Sequence, residues 1–187
     1  MRLTTIAAIL AASLALSGPV LADEIEDSIK EALTAYEKKD FSAAKHALDY
    51  ASQLIAQKNA EGLGAVLPEP LSGWSAEDVE TQDASVAMFG GIRAGRNYAR
   101  GDERVSLQIL GDSPLLSTWM PMMANPAMAA AMGKMTKVGK YRAIQTKDGQ
   151  VIVVVANRFL VMVDGSASIK DKVDYAAAID FEKLESL

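Results

Sequence analysis

The run from Val151 to Val155 restricts the fold more than any other segment of the chain. All five residues are apolar, so both faces of a strand formed here are apolar. Such a strand must lie inside a sheet that is covered on both sides. Asp148-Gly149, just before the run, is a strong signal for a tight hairpin, which makes the preceding strand an antiparallel neighbour. The sequence therefore predicts an antiparallel sheet with helices packed on its faces.

Patterns on both sides of this run predict the other elements of the C-terminal part. Gly101-Asp102 and Asn157-Arg158 mark two more turns. The predicted strands are 85–89, 93–99, 103–110, 140–146, 150–156 and 159–163, with a helical segment before 140 and a last helix over 169–179. The expected fold class is α+β: an N-terminal helical hairpin, then a mainly antiparallel sheet of about six strands with two covering helices.

Residues 23–58 have the spacing of two antiparallel helices. Apolar residues recur every three or four positions on both sides of a turn at residues 38–40, where Asp40 is placed to cap the second helix. These residues are Ile25, Ile29, Ala32, Leu33 and Tyr36, then Phe41, Ala44, Ala47, Leu48, Ala51, Leu54 and Ile55. Residues 59–73 contain three glycines and two prolines and are predicted to form a linker. Trp74 is expected to anchor this linker to a domain formed by residues 74–187.

Two resemblances follow from these patterns. The run Ala35-Tyr36-Glu37-Lys38-Lys39-Asp40-Phe41-Ser42-Ala43-Ala44 resembles the helix–turn–helix of a tetratricopeptide unit, and it occurs once. A lone unit cannot bury its own apolar face, so the resemblance implies packing on the rest of the chain or on a partner. The alternative is a helical hairpin that simply covers the sheet. The order of elements in residues 74–187 is similar to that of the PsbP-like group of small secreted α+β domains, which implies an accessory or binding role.

The first 22 residues have the features of a secretory signal peptide. Arg2 provides a positive start, Ile6 to Leu16 form a short apolar core, and Val20-Leu21-Ala22 supplies small residues at the cleavage positions. The apolar core is shorter than the roughly 20 residues that span a bilayer. We expect cleavage after Ala22, export to a bacterial periplasm, and no membrane span in the remaining chain.

Composition excludes several classes of function. Without Arg2, 18 basic side chains stand against 24 acidic ones, which argues against general binding to nucleic acid or to anionic membranes. The chain has no cysteine, so lipobox anchoring, disulfides, thiolate metal sites and cysteine nucleophiles are all impossible. His46 is the only histidine, which excludes sites with several histidines. We expect no cofactor.

Methionines are concentrated between the third and fourth predicted strands. Six of the nine lie within residues 120–135: Met120, Met122, Met123, Met128, Met132 and Met135. Ser113 and Asn125 are placed as helix caps, and Pro121 and Asn125-Pro126 are expected to divide the segment into two short helices. The simplest interpretation is a buried or groove-forming apolar segment in which methionine fills irregular gaps. A second is an adaptable surface for a protein or a lipid, formed by Trp119, Met120, Met122, Met123, Met128 and Met132.

Copper is a further interpretation of the same segment. Thioethers are soft ligands that suit Cu(I), and Met128 and Met132 are four residues apart on one side of a helix. Met122, Met128 and Met132 are therefore the alternative metal ligands, although such sites usually need three soft ligands that converge.

Four arginines surround one predicted hairpin, and two of them share a face. Strand alternation places Arg96 and Arg100 together with Tyr98, with Arg93 on the opposite face. Arg96 and Arg100 are the candidates for binding an anion. The alternative is a solvated sheet face paired with Asp102 and Glu103.

No catalytic arrangement is evident. His46 falls on the polar side of its helix, as a solvated surface histidine does. Glycines 90–95 lack the spacing and the lysine of a phosphate-binding loop, and carboxylate pairs fit helix starts and solvated faces. We therefore expect an exported, non-enzymatic accessory protein of the cell envelope that binds a protein or an apolar ligand. The alternatives are a Cu(I)-binding periplasmic protein and, with no residues to support it, a hydrolase.

Overall fold

The computed structural model describes residues 20–82 and 91–187. The predicted strand 85–89 and the predicted signal peptide, apart from its last three residues, lie outside this part of the chain. The chain divides into two compact units, Met1–Ala51 and Ser52–Leu187, and each is described separately. None of the described helices is long and apolar enough to cross a membrane.

The first unit contains a helical hairpin, as the apolar spacing predicts. Helix α1 covers Val20–Glu37, and α2 begins at Phe41 and continues to Gly64 in the second unit. Lys39 turns the chain with a positive φ of 59°, and Asp40 Oδ1 accepts a hydrogen bond of 3.0 Å from the Ala43 amide. Asp40 therefore caps α2, as expected.

The predicted linker 59–73 is wrong in its first part, because α2 extends to Gly64. Ala60 and Leu63 are 3% and 0% exposed and pack into the core of the second unit. Apolar residues at helical spacing therefore continue the helix through Gly62, which costs only about 1 kcal/mol relative to alanine.

The second unit is built on one antiparallel sheet. Its strands are β1 Ser75–Ala76, β2 Glu80–Gln82, β3 Ile92–Arg100, β4 Glu103–Gly111, β5 Gly133–Val138, β6 Tyr141–Thr146, β7 Val151–Val155 and β8 Phe159–Asp164. They follow the order β1-β3-β4-β8-β7-β6-β5, and β2 also pairs with β3. The described sheet thus has eight strands rather than about six. Five of them were predicted and β1, β2 and β5 were not, while the sixth predicted strand, 85–89, lies outside the described residues.

Strand β5 replaces part of the predicted helical segment. Its side chains show no clear alternation of apolar and polar residues, so the sequence pattern gives little signal for a strand. Gly133 starts the strand, and a Cβ atom at this position would lie 2.0 Å from the Gln145 carbonyl oxygen of β6. The glycine therefore permits the close backbone pairing, and Met135 lies on a strand rather than a helix.

Helices cover both faces of the sheet. The four that follow β4 or β8 are α3 Leu115–Ala124, α4 Pro126–Met132, α5 Ile169–Ala177 and α6 Phe181–Ser186. One face, here called the α5 face, packs on α5, α6 and the end of α2, and the other, the α3 face, packs on α3 and α4. Val153 on the α5 face and Ile152 on the α3 face are both 0% exposed. The prediction of a central strand covered on both sides is confirmed.

Aromatic residues fix the chain that follows α2. Trp74 is 9% exposed and meets the Tyr175 ring edge-on at a centroid distance of 5.3 Å. Tyr175 Oη accepts a hydrogen bond of 3.2 Å from the Leu71 amide. Trp74 therefore anchors the linker to the core, as predicted.

Candidate functional site

A cavity of about 360 Å³ opens on the α3 face, between α3 and the adjoining ends of β6 and β7. Met120 and Met123 of α3 and Val154 of β7 contribute apolar side chains to its lining. Arg142 of β6, which the strand register places beside Val154, and Asn157, in the turn after β7, contribute polar ones. The lining therefore has an apolar part and a polar part.

The apolar part of the lining is continuous with the core. Met123 is 8% exposed and packs with Ala129 and Ile144, whereas Met120 packs against the cluster that contains Leu116. Val154 contacts both clusters. Because these side chains are held by packing, this part of the lining is preformed, and the unbranched methionines can adjust to a bound shape.

The polar part of the lining carries positive charge. Arg142 is exposed and forms no ion pair with any described residue. Lys140 also lines the cavity, but its Nζ lies 3.1 Å from Glu185 Oε2 of α6, a helix of the α5 face, and hydrogen bonds with Tyr141 and Glu185 raise its pKa. Lys137 faces Arg142 across the β5–β6 ladder, which adds a second cation on the same face of the sheet. No carboxylate lines the described cavity.

The methionine-rich segment is divided between core, cavity and surface. Met120 and Met123 line the cavity, Trp119 packs on the Leu116 cluster, and Met132 packs on the Ile144 cluster. Met122 is half-buried, and Met128 is 46% exposed on α4. Two of the six predicted binding residues, Met120 and Met123, therefore meet at one site, whereas the other four lie outside the cavity lining.

The local break between α3 and α4 explains why the sulfur atoms are divided. Asn125 Oδ1 accepts hydrogen bonds from the Ala127 and Met128 amides, at 3.0 Å and 3.4 Å, and starts α4, as predicted. Ser113 Oγ accepts a hydrogen bond of 3.3 Å from the Leu115 amide, but the N-cap position of α3 is Pro114 and not the predicted Ser113. The prediction that Pro121 ends a helix is wrong. Pro121 lies inside α3 with its ring exposed, where water can reach the carbonyl group that its missing N–H leaves free.

The proposed copper ligands gain no specific support from their placement. Met122 lies on α3, while Met128 and Met132 lie on α4, and only Met132 belongs to a packed cluster. Among the described residues, no group of three or more His, Cys, Asp or Glu side chains is placed to hold a metal. Cu(I) binding by Met122, Met128 and Met132 stays a prediction.

The two anion-binding candidates are engaged by groups of the same chain. Arg96 donates to the Pro68 carbonyl oxygen at 3.1 Å, and its Nη1 lies 3.1 Å from Glu69 Oε1. Arg100 pairs with Glu103 at 2.8 Å and with Asp171 at 3.2 Å. Both arginines lie on one face of β3, as predicted, but an external anion would compete there with these internal partners.

Sequence reasoning missed the polar part of the cavity lining. Arg142 and Asn157 became significant only when the β5–β6 and β7–β8 turns placed them beside α3. Asn157 carried a weak signal, because an asparagine after a strand often adopts the positive φ that it has here, 54°. His46 is exposed on α2, as expected from its position.

Comparisons with protein-family models, with curated proteins and with solved structures find no match for this chain. The tetratricopeptide-like and PsbP-like resemblances therefore stay predictions, and the functional argument depends on the geometry described above.

Proposed function

We propose that this chain is an exported, non-enzymatic accessory protein of the bacterial cell envelope that binds a small apolar ligand in the α3-face cavity. The observation that carries the proposal is a lining that combines the apolar side chains of Met120, Met123 and Val154 with the polar side chains of Arg142 and Asn157. Ligand sites typically have volumes of about 300–1,000 Å³ and combine apolar walls with a few polar groups. The signal-like residues 1–22 support export.

The polar part of the lining favours a ligand with an acidic end. Arg142 has no internal partner in the described structure, so its guanidinium is available to a carboxylate or a sulfonate. An apolar chain would then extend over Met120 and Met123. Glu185 is engaged by Lys140 and Tyr141, at 3.1 Å and 2.7 Å, and does not line the described cavity. A medium-chain fatty acid has this chemistry.

The lining favours binding over catalysis. Its free polar groups are the guanidinium of Arg142 and the amide of Asn157, while Lys140 and Tyr141 are engaged by Glu185. Among the described lining residues there is no carboxylate or imidazole to act as a base and no serine as a nucleophile. The phenol of Tyr141 donates a hydrogen bond of 2.7 Å to Glu185, and its pKa is raised by desolvation. It therefore stays protonated at neutral pH.

The test is to fill the cavity and measure binding of a neutral apolar probe. Ala124 is exposed at the edge of the cavity, so Ala124→Trp should occupy the space without disturbing the core. We expect the affinity for N-phenyl-1-naphthylamine, measured by fluorescence titration, to fall about tenfold, which is about 1.4 kcal/mol. The matched control is Ala130→Trp, a change at an exposed alanine of α4 outside the lining. Equal binding by the two variants would reject this cavity as the site.

A further inference from the structure

A second cavity, of about 180 Å³, opens where β2, β3 and β4 lie side by side. The strand register pairs Gly95 of β3 with Glu80 of β2 and with Gln108 of β4, so these three residues form one row across the sheet. All three line the cavity, and the middle one has no side chain. We call this space the Gly95 cavity. It shares no lining residue with the α3-face cavity.

Nothing in the fold requires glycine at position 95. A Cβ atom there would meet the Leu107 carbonyl oxygen at 3.5 Å and Gln108 Cγ at 3.6 Å, which are ordinary contacts. The φ of Gly95 is not in the left-handed region that favours glycine. A glycine inside a strand weakens the strand, and such glycines often mark a site where another group approaches the backbone closely. The open space above Gly95 is the feature that the missing side chain creates.

Charges of both signs line the Gly95 cavity without pairing. Arg93 is half-buried, Asp78 and Glu80 are exposed, and none of the three forms an ion pair with any described residue. Arg93 and Glu80 are diagonal neighbours on one face of the β2–β3 ladder, with about 7–8 Å between such positions. Side chains of this length and opposite charge can meet across that distance, and here they do not.

Neutral polar groups complete the lining. Ser106 and Gln108 of β4 are half-buried, and their side chains form no hydrogen bond with any described residue. Asn97 Nδ2 donates a hydrogen bond of 2.9 Å to Glu77 Oε2, which holds the amide in place and leaves its oxygen as an acceptor. The second arginine of the lining, Arg96, is already engaged by the Pro68 carbonyl oxygen and by Glu69. Arg93 is therefore the free cation of this cavity.

Size and charge together indicate the class of ligand. A water molecule occupies about 30 Å³ in the liquid, so the Gly95 cavity has room for roughly six waters, which is the size of a small amino acid. A guanidinium binds a carboxylate through two parallel hydrogen bonds, and a carboxylate binds an ammonium group. A ligand that carries both an anionic and a cationic group can satisfy Arg93 and Glu80 at the same time.

We propose that the Gly95 cavity binds a small polar α-amino acid. The ligand carboxylate pairs with Arg93, and the ligand ammonium lies beside Glu80 and Asp78, where the Asn97 amide oxygen accepts one of its hydrogen bonds. Ser106 and Gln108 face the ligand side chain. This site is additional to the proposed apolar-ligand site, and neither depends on the other.

Nuclear magnetic resonance titration of the isotope-labelled full chain with L-serine tests the proposal. We expect saturable shifts of backbone amides in 93–97 and 106–108, the strand segments that line the cavity. Ethanolamine lacks the carboxylate of serine and 3-hydroxypropanoate lacks its ammonium, so each should bind at least about tenfold more weakly. If serine causes no saturable shift in these segments, or if either analogue binds as tightly as serine, the proposal is overturned.

Two variants test the assignment to these residues. Arg93→Gln should weaken serine binding about tenfold, whereas the control Arg104→Gln, at an exposed arginine of β4 outside the lining, should leave it unchanged. Gly95→Thr should abolish binding by filling the cavity, and it should not weaken the sheet, because threonine is favoured in strands. Urea denaturation checks that each variant is folded. Equal loss in the two arginine variants, or full binding by a folded Gly95→Thr, rejects the site.

Discussion

Tyr98 Oη donates a hydrogen bond of 2.7 Å to the carbonyl oxygen of Pro68, thirty residues earlier in the chain. Tyr98 is 1% exposed, and burial raises the pKa of its hydroxyl, so the group stays a donor at any pH that the fold tolerates. Its ring packs on Tyr175 at a centroid distance of 4.2 Å. One residue thus connects the middle of β3, the segment after α2, and α5.

Loss of this hydrogen bond should lower the stability of the second unit. We expect Tyr98→Phe to reduce the free energy of unfolding by about 1 kcal/mol, because the ring contacts are kept and Arg96 still donates to Pro68. Urea denaturation followed by tryptophan fluorescence measures the change. Tyr50→Phe, at an exposed tyrosine, is the control and should be neutral. If Tyr98→Phe leaves the free energy of unfolding unchanged, the hydroxyl contributes no stability beyond the packing of the ring.

The Asp112–Arg158 pair should make stability depend on acid pH. Arg158 binds both oxygens of Asp112, at 2.8 Å and 2.9 Å, and lowers the pKa of that carboxyl below its ordinary 3.8. Folding therefore favours the ionised form, so the stabilisation is complete above about pH 4 and is lost as the pH falls through the folded pKa. Because the pair is partly exposed, the effect is small.

The measurement is urea denaturation from pH 7 to pH 2 with the variant Asp112→Asn. Asparagine tolerates the positive φ of 52° at this position, so the variant isolates the charge. We expect the difference between the two proteins to be constant at neutral pH and to shrink below pH 4. A difference that stays constant down to pH 2 would contradict the assignment to this pair.

Strand β5 should depend on the absence of a side chain at position 133. In Gly133→Ala the new Cβ would lie 2.0 Å from the Gln145 carbonyl oxygen, so β5 and β6 must separate locally. We expect a loss of about 2 kcal/mol or more and faster amide exchange in residues 133–138. Gly95→Ala on β3 is the control, because its Cβ meets nothing closer than 3.5 Å. Equal effects of the two substitutions would remove the steric explanation.

The acidic end proposed for the ligand is tested separately from the cavity itself. Isothermal titration should show that Arg142→Gln weakens binding of decanoate about threefold to tenfold and leaves binding of decanol unchanged. The control is Lys134→Gln, at an exposed cation of β5 that lies outside the cavity lining. If decanol and decanoate bind equally to the original chain, the cavity recognises apolar surface alone. If neither binds, the proposed function fails together with the charge argument.

Secondary-structure elements were predicted correctly where the side-chain pattern and the turn residues indicated the same structure. The β6–β7 hairpin follows from Asp148-Gly149 and the apolar run after it, and α4 begins where Asn125-Pro126 predicts. The helical hairpin was predicted correctly, but its packing was not. The expected apolar stripes divide into buried alanines, such as Ala32 and Ala47, and exposed leucines, Leu33 and Leu48, because close helix contact selects small residues.

Other features depend on contacts that no local pattern encodes. The Arg100–Asp171 pair joins residues that are 71 positions apart, and the cavity exists because α3 lies over the ends of β6 and β7. The methionines gave a strong compositional signal, yet Met123 is buried while Met128 is exposed, since the break at Asn125 turns α4 separately. Composition identified the methionine-rich segment, but only the packing shows which of its residues are buried, line the cavity or are exposed.

The sheet order has a consequence for how the chain becomes folded. β8 lies between β4 and β7, and Leu107 pairs with Val163 across that junction. Until Phe159–Asp164 has left the ribosome, β3–β4 and β5–β7 lack the strand that joins them and have open edges. The last strand to emerge closes the sheet at its centre, so the second unit cannot finish folding before β8 is available.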